Sequence, residues 1–268
     1  MNDLSPFDDG DSGGLTPVDP KDESPLYAVL GAVLVAVGGI AGAFLVTGAV
    51  VFALQAIGIT LSTVPTFALT FLTGSIGFVG AATLYLRSRG RTPVDYVGIE
   101  WPSLADFGWV VGGYVAALAL VMASGLVLTL FQVDPNTTNQ AAKAGMENPV
   151  LLLWLVPLSF LVIAPGEEYL FRGTVQARLR EAFPAWIAIP LTAAIFAVLH
   201  FFSLTGGAGG RFIAIGVLFM PSLVFGAIYE KTGNLVTSTL IHGAYNATLV
   251  LLLYISLTFT GARSIQAV

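Results

Sequence analysis

The chain has 268 residues, of which 56% are apolar and only 10% charged; its mean hydropathy is +0.84. A soluble domain is about a quarter charged, so this composition excludes a soluble globular protein, and no basic patch points to nucleic acid. Cysteine is absent, which excludes disulfides, thiolate catalysis and Cys-ligated metals and leaves water as the simplest nucleophile for a hydrolase.

Residues 1–25 hold seven acids (Asp3, Asp8, Asp9, Asp11, Asp19, Asp22, Glu23) against one base, Lys21, so the net charge of −5 comes from this end rather than the body. The stretch is rich in Asp, Gly, Pro and Ser, cannot bury enough apolar surface to fold, and reads as a disordered tail. It lacks the basic n-region of a signal peptide, so no cleavage is expected. A spanning helix needs about 20 mainly apolar residues, and seven such segments follow: Leu26–Leu54, Val64–Leu86, Phe107–Phe131, Val150–Phe171, Ile187–Phe202, Phe212–Tyr229 and Leu235–Phe259. The expected fold class is therefore an all-α polytopic bundle. The fifth segment is short for a full span.

The loops set the orientation. Arg87, Arg89 and Arg91 follow the second segment, Arg172, Arg178 and Arg180 follow or end the fourth, and Lys231 follows the sixth. With Lys21 these gather on one side, which the positive-inside rule assigns to the cytoplasm together with the N-terminus. Lys143, Arg211 and Arg263 fall on the other side. Loop 132–149 is polar and external on this topology. Its Asn136-Thr137-Thr138 matches a glycosylation acceptor, although a solvated loop explains the triplet as well. No internal repeat is present.

Polar residues at membrane depth carry the functional signal. An acid in mid-span costs about 2.5–3.5 kcal/mol, against about 0.3–0.6 kcal/mol gained per Leu-like residue. One adjacent pair stands in such a place, Glu167-Glu168 in Pro165-Gly166-Glu167-Glu168-Tyr169-Leu170-Phe171-Arg172-Gly173. Both histidines of the chain, His200 and His242, lie in apolar segments of the same half. Positions i and i+4 share a helix face, so Glu168 can pair with Arg172, and His242 can act beside Asn246. Glu167 points about 100° away from Glu168 and is left to face a cavity. Pro165 interrupts the hydrogen-bond ladder near Leu161, which can open space for water. A hairpin turning at Phe183-Pro184 would bring Glu167 level with His200. The competing reading of 174–183 is an interfacial amphipathic helix. Phe196 reads as packing, and Glu230-Lys231 as a solvated turn.

Glu-Glu-x-x-x-Arg at 167–172, Phe-x-x-x-His at 196–200 and His-x-x-x-Asn at 242–246, in this order, resemble the three motifs of the CAAX protease and bacteriocin-processing family, which includes the type II CAAX prenyl endopeptidases. The turn 229–235 is similar too, and the resemblance covers about 150–255. It implies a membrane-embedded endopeptidase domain over 150–259, preceded by N-terminal helices and the external loop over 26–149. By this resemblance Glu167 and His200 would activate water, His242 and Asn246 would stabilise the oxyanion, and Glu168 and Arg172 would hold the site. The substrate implied is a membrane-associated protein or peptide, with prenylated tails as the CAAX case. Glu167, His200 and His242 also form a possible zinc set with water in the fourth position, although a metal-free mechanism is favoured because Asn246 beside His242 suits an oxyanion hole. Two other readings use the same residues: a transporter or proton relay, and a non-catalytic immunity or scaffold protein.

Overall fold

The computed structural model describes residues 24–266. Of the acidic tail expected over 1–25, all but Ser24 and Pro25 lie outside the described residues. Nine helices follow: α1 (Pro25–Ala56), α2 (Thr63–Ser88), α3 (Pro93–Val97), α4 (Leu104–Leu130), α5 (Gln140–Glu147), α6 (Val150–Arg180), α7 (Ala185–Leu199), α8 (Ala208–Thr232) and α9 (Leu235–Gln266). A single 3₁₀ turn, His200–Ser203, continues α7. Seven of these helices, all but α3 and α5, are long and apolar enough to cross a membrane, and they coincide with the seven segments expected. Among the described residues there is no strand, only an isolated antiparallel bridge between Asn139 and Leu204.

Local chemistry marks the helix ends. Pro25 and Pro93 open α1 and α3, where a missing N–H costs nothing. Ser103 and Asp106 form a reciprocal capping box on α4, and Asn139 accepts from Ala141 N–H at the start of α5. Gly98 and Gly233 end α3 and α8, both with φ of 63°, a region open to glycine. These two turns abut. A Cβ on Gly98 would stand 2.1 Å from the Gly233 carbonyl oxygen, and Leu235 N–H donates to Gly98 O at 2.8 Å.

Helix α6 is the central element. Its Tyr169, Leu170, Phe171, Val175 and Leu179 form the largest apolar core with Ala32, Val35 and Ala36 of α1 and Ala82 and Leu86 of α2. Helix α4 packs on α8 and α9, and α7 packs on α8. Large apolar residues elsewhere point outward, among them Leu34, Phe44, Leu45, Phe52, Leu84, Met122 and Leu161. Such a surface suits lipid contact around an integral membrane protein. Helices α1 and α2 meet backbone to backbone at Gly42 and Gly77, because a Cβ on Gly77 would lie 2.3 Å from Ala43 N. Small residues permit this kind of close approach between membrane helices.

Three expectations change. The fourth span continues nine residues past Phe171 to Arg180, so the hairpin reading holds and 174–183 is not an interfacial helix. Thr174, Val175, Gln176, Arg178 and Leu179 are buried inside the bundle. Arg172, counted above with the loop bases, is fully buried in the span beside Glu168, the partner that four-residue spacing gives it. Glu230 is not in a solvated turn, since it accepts from Arg180 Nε at 2.7 Å.

The helix ends are tied by charge. Glu181 binds Arg89 at 2.7 Å, pairs with Arg178, and accepts from the Tyr96 hydroxyl at 2.8 Å. Burial, with the Glu181 carboxylate next to it, holds the Tyr96 hydroxyl protonated far above its usual range. Arg89, Arg178 and Arg180 therefore lie at one end of the bundle, as the loop charges imply.

The α1–α2 contact gives a direct test. Gly77→Val should destabilise the protein by at least about 1–3 kcal/mol through overpacking. Gly80→Val on the same helix meets open space and should leave thermal unfolding in detergent unchanged.

Candidate active site

The two acids sit in a short α-helical stretch of α6, Ala164–Leu170, between two π-helical stretches, Ser159–Ile163 and Phe171–Gln176. Pro165 accounts for the first of these. It has no N–H for the ladder, and the turn widens so that Ala164 N–H reaches Ser159 O. The nearby Val162 carbonyl accepts from the Ser75 hydroxyl of α2 at 2.8 Å. Gly166 makes that contact possible, because a Cβ there would fall 2.0 Å from Ser75 Oγ. The expected break before the acids is therefore a widened turn stitched to α2.

Glu168 is fully buried, and one of its oxygens does two jobs. Oε1 accepts from Arg172 Nη1 at 2.9 Å and from His242 Nδ1 at 2.8 Å. Arg172 is equally buried; its Nη2 donates to the Ser222 hydroxyl at 2.7 Å and to the Ser222 carbonyl at 3.1 Å. The guanidinium lies over the rings of Phe196 and Phe225, at 4.9 and 5.4 Å. The Phe225 ring also stacks on His242, with centroids 4.8 Å apart and planes within 20°. His242 is thus fixed by a carboxylate on its edge and a ring on its face.

Glu167 is the acid left available. Its side chain is 17% exposed, where that of Glu168 is wholly enclosed. Its Oε2 stands 3.7 Å from His242 Nε2, too far for a hydrogen bond, yet close enough for one water to contact both. Asn246, one turn after His242 on α9, is half-buried, and its side chain makes no hydrogen bond among the described residues.

His200 reaches the same level from α7. Phe171 and Arg172 pack against Phe196, so one turn further along each helix lie the acids and His200, as the hairpin spacing predicts. The Phe196 ring touches both imidazoles, with centroids 4.4 Å from His200 and 6.0 Å from His242. His200 Nδ1 lies 2.8 Å from the Phe196 carbonyl oxygen. A carbonyl only accepts, so Nδ1 donates to it, and in the neutral imidazole Nε2 then presents the lone pair. No hydrogen bond or ion pair joins His200 directly to Glu167.

Glu167, His200 and His242 are not gathered tightly enough to form the zinc set considered above. Among the described residues no three His, Asp or Glu side chains are grouped to hold a metal ion. No step is derived through a metal.

The structure draws the site from four spans rather than three, because α8 contributes Ser222 and Phe225. Neither residue stood out in the sequence, since serine and phenylalanine are unremarked in an apolar helix. Phe196, read as packing, is that and also the contact between the two imidazoles.

Two comparisons with known proteins return nothing: no curated protein and no solved structure matches the chain. A family model does match. Residues 149–248 fit the type II CAAX prenyl endopeptidase Rce1-like domain, a stretch that contains every motif residue named above.

The buried pair should be costly to break and cheap to remove whole. Glu168→Leu leaves Arg172 buried without its partner and should cost about 3–5 kcal/mol. Glu168→Leu combined with Arg172→Met should recover most of that stability in thermal or denaturant unfolding, by the same balance of desolvation against attraction.

Proposed function

We propose, from the match of residues 149–248 to the Rce1-like type II CAAX prenyl endopeptidase family model, that the chain is an intramembrane endopeptidase that hydrolyses a peptide bond of a membrane-associated protein or peptide. The observation that carries this reading is the pairing of an accessible glutamate, Glu167, with a rigidly held imidazole, His242, 3.7 Å apart inside a membrane bundle. Prenylated C-terminal tails are the CAAX case of such a substrate.

The chemistry follows from the residues. Arg172 offsets one of the two adjacent carboxylates. On this mechanism Glu167 starts as the carboxylate, and His242 carries a proton on each ring nitrogen, Nδ1–H toward Glu168 and Nε2–H toward the site. A water bound between them gives its proton to Glu167 while its oxygen attacks the scissile carbonyl carbon. His242 Nε2–H and the Asn246 amide donate to the oxygen that becomes negative. When the C–N bond breaks, Glu167 returns the proton to the departing amine. His200, with its Nε2 lone pair free, is the second acceptor for the water. Glu168 and Arg172 hold His242 and take no proton. The arginine-bearing end of the bundle is assigned to the cytoplasm.

Glu167→Gln should lower cleavage of a membrane-associated peptide by about 10²–10⁴-fold in folded protein, and Asn246→Ala should lower kcat by about 10²–10³-fold. Full turnover by Glu167→Gln would refute the reading. Elemental analysis of active protein should find no stoichiometric zinc; a metal whose removal abolishes cleavage would overturn the metal-free mechanism.

A further inference from the structure

Below the site, α6 carries a polar residue at every fourth position: Glu168, Arg172, Gln176 and Arg180. Opposite them α8 carries Ser222, Gly226 and Glu230 at the same interval. The two rows interlock. Arg172 donates to Ser222, Gln176 Nε2 donates to the Gly226 carbonyl at 3.0 Å and reaches Glu230 Oε2 at 3.4 Å, and Arg180 Nε donates to Glu230 Oε1 at 2.7 Å. Ser238 of α9, one turn before His242, is fully buried beside Glu168, and its hydroxyl donates to the Leu235 carbonyl at 3.1 Å. The first three α6 residues are buried, while Arg180 and Glu230 are 23% and 14% exposed at the bundle end.

This row is not saturated by protein. Arg172 Nε and Gln176 Oε1 are buried without a hydrogen-bond partner among the described residues, and Glu168 Oε2 has only the Ser238 hydroxyl beside it, which donates to Leu235. They fall on consecutive turns, as acceptor, donor and acceptor. An unpaired buried polar atom costs about 1–3 kcal/mol. Three in succession call for a common partner, and buried water commonly bridges such groups with two to four hydrogen bonds. Arg172 and Gln176 stand one turn apart on α6, so their unpartnered atoms follow one another along the seam. Gly226 keeps that position open, since a Cβ there would lie 2.7 Å from Gln176 Oε1.

We infer that the α6–α8–α9 seam holds a file of exchangeable water running from the Arg180–Glu230 end to Glu168, and that this file supplies the water consumed at Glu167. Peptide hydrolysis takes one water per bond cleaved, and lipid around the bundle supplies none. The supply role rests on the hydrolytic reading above; the file itself does not.

The test uses the full chain in lipid nanodiscs. Hydroxyl radicals generated by radiolysis of bound water should label Phe225, which is 1% exposed yet adjoins the file. Gln176→Met and Ser238→Ala should reduce that labelling and lower kcat about tenfold with KM unchanged, without lowering the unfolding temperature by more than a few degrees. Conservative Ser238→Thr should restore both. Unlabelled Phe225 in the parent protein overturns the file. Labelling together with full kcat in both variants means trapped structural waters only and overturns the supply role. If the parent protein cleaves no peptide, the hydrolytic reading fails, while the loss of Phe225 labelling in Gln176→Met and Ser238→Ala still decides the file, since Phe225 also borders His242.

Discussion

The site hangs on one oxygen atom. Glu168 Oε1 accepts from both Arg172 and His242, joining α6 to α9, while Arg172 extends the link to α8 through Ser222. Neither charge could be buried in an apolar bundle alone, because desolvation of an ion costs several kcal/mol. Each therefore requires the other, and the requirement fixes the register of three spans. The imidazole of His242 follows without freedom, held at Nδ1 by the carboxylate and on its face by Phe225. What remains unsatisfied by this lattice is Glu167, and its availability is a consequence of how completely Glu168 is used.

The same contrast shows why adjacent glutamates serve different ends. Neighbours on a helix point about 100° apart. One faces the interhelical seam and meets a full set of partners. The other faces the space before His242, with Asn246 one turn further along α9. No difference in residue type separates them; the packing around α6 does.

Hydropathy made the bundle legible, since seven apolar segments need no tertiary information to be seen. Four-residue spacing likewise made the Glu168–Arg172 pair and the level of His200 readable. The reading failed where charge was taken at face value. Arg178 and Arg180 looked like a loop after a span, because a lone arginine belongs in water. Their partners, Glu181 and Glu230, include one 50 residues distant, and a pairing of that separation leaves no trace in a single sequence. Ser222 and Phe225 were invisible for the same reason: their role is defined by what crosses from α6. The bond from Glu168 to His242, 74 residues apart, was also beyond local spacing, so the support assigned to Glu168 lacked its target.

The four-residue polar period of α6 itself has a geometric consequence. In an ideal α-helix, steps of four residues drift about 40° per step, so Glu168 and Arg180 would diverge by about a third of a turn. The π-helical stretch Phe171–Gln176 widens the turns between them, and i→i+5 bonding of this kind slows the rotation per residue. The row is thereby kept facing α8 over three turns, long enough for Arg172, Gln176 and Arg180 each to find a partner there. The earlier π-helical stretch, set by Pro165 and closed by Ser75, orients the acids in the same manner. Two local departures from α-helical bonding thus do what substitution of side chains could not: they hold a polar stripe straight along a helix whose remaining surface is apolar.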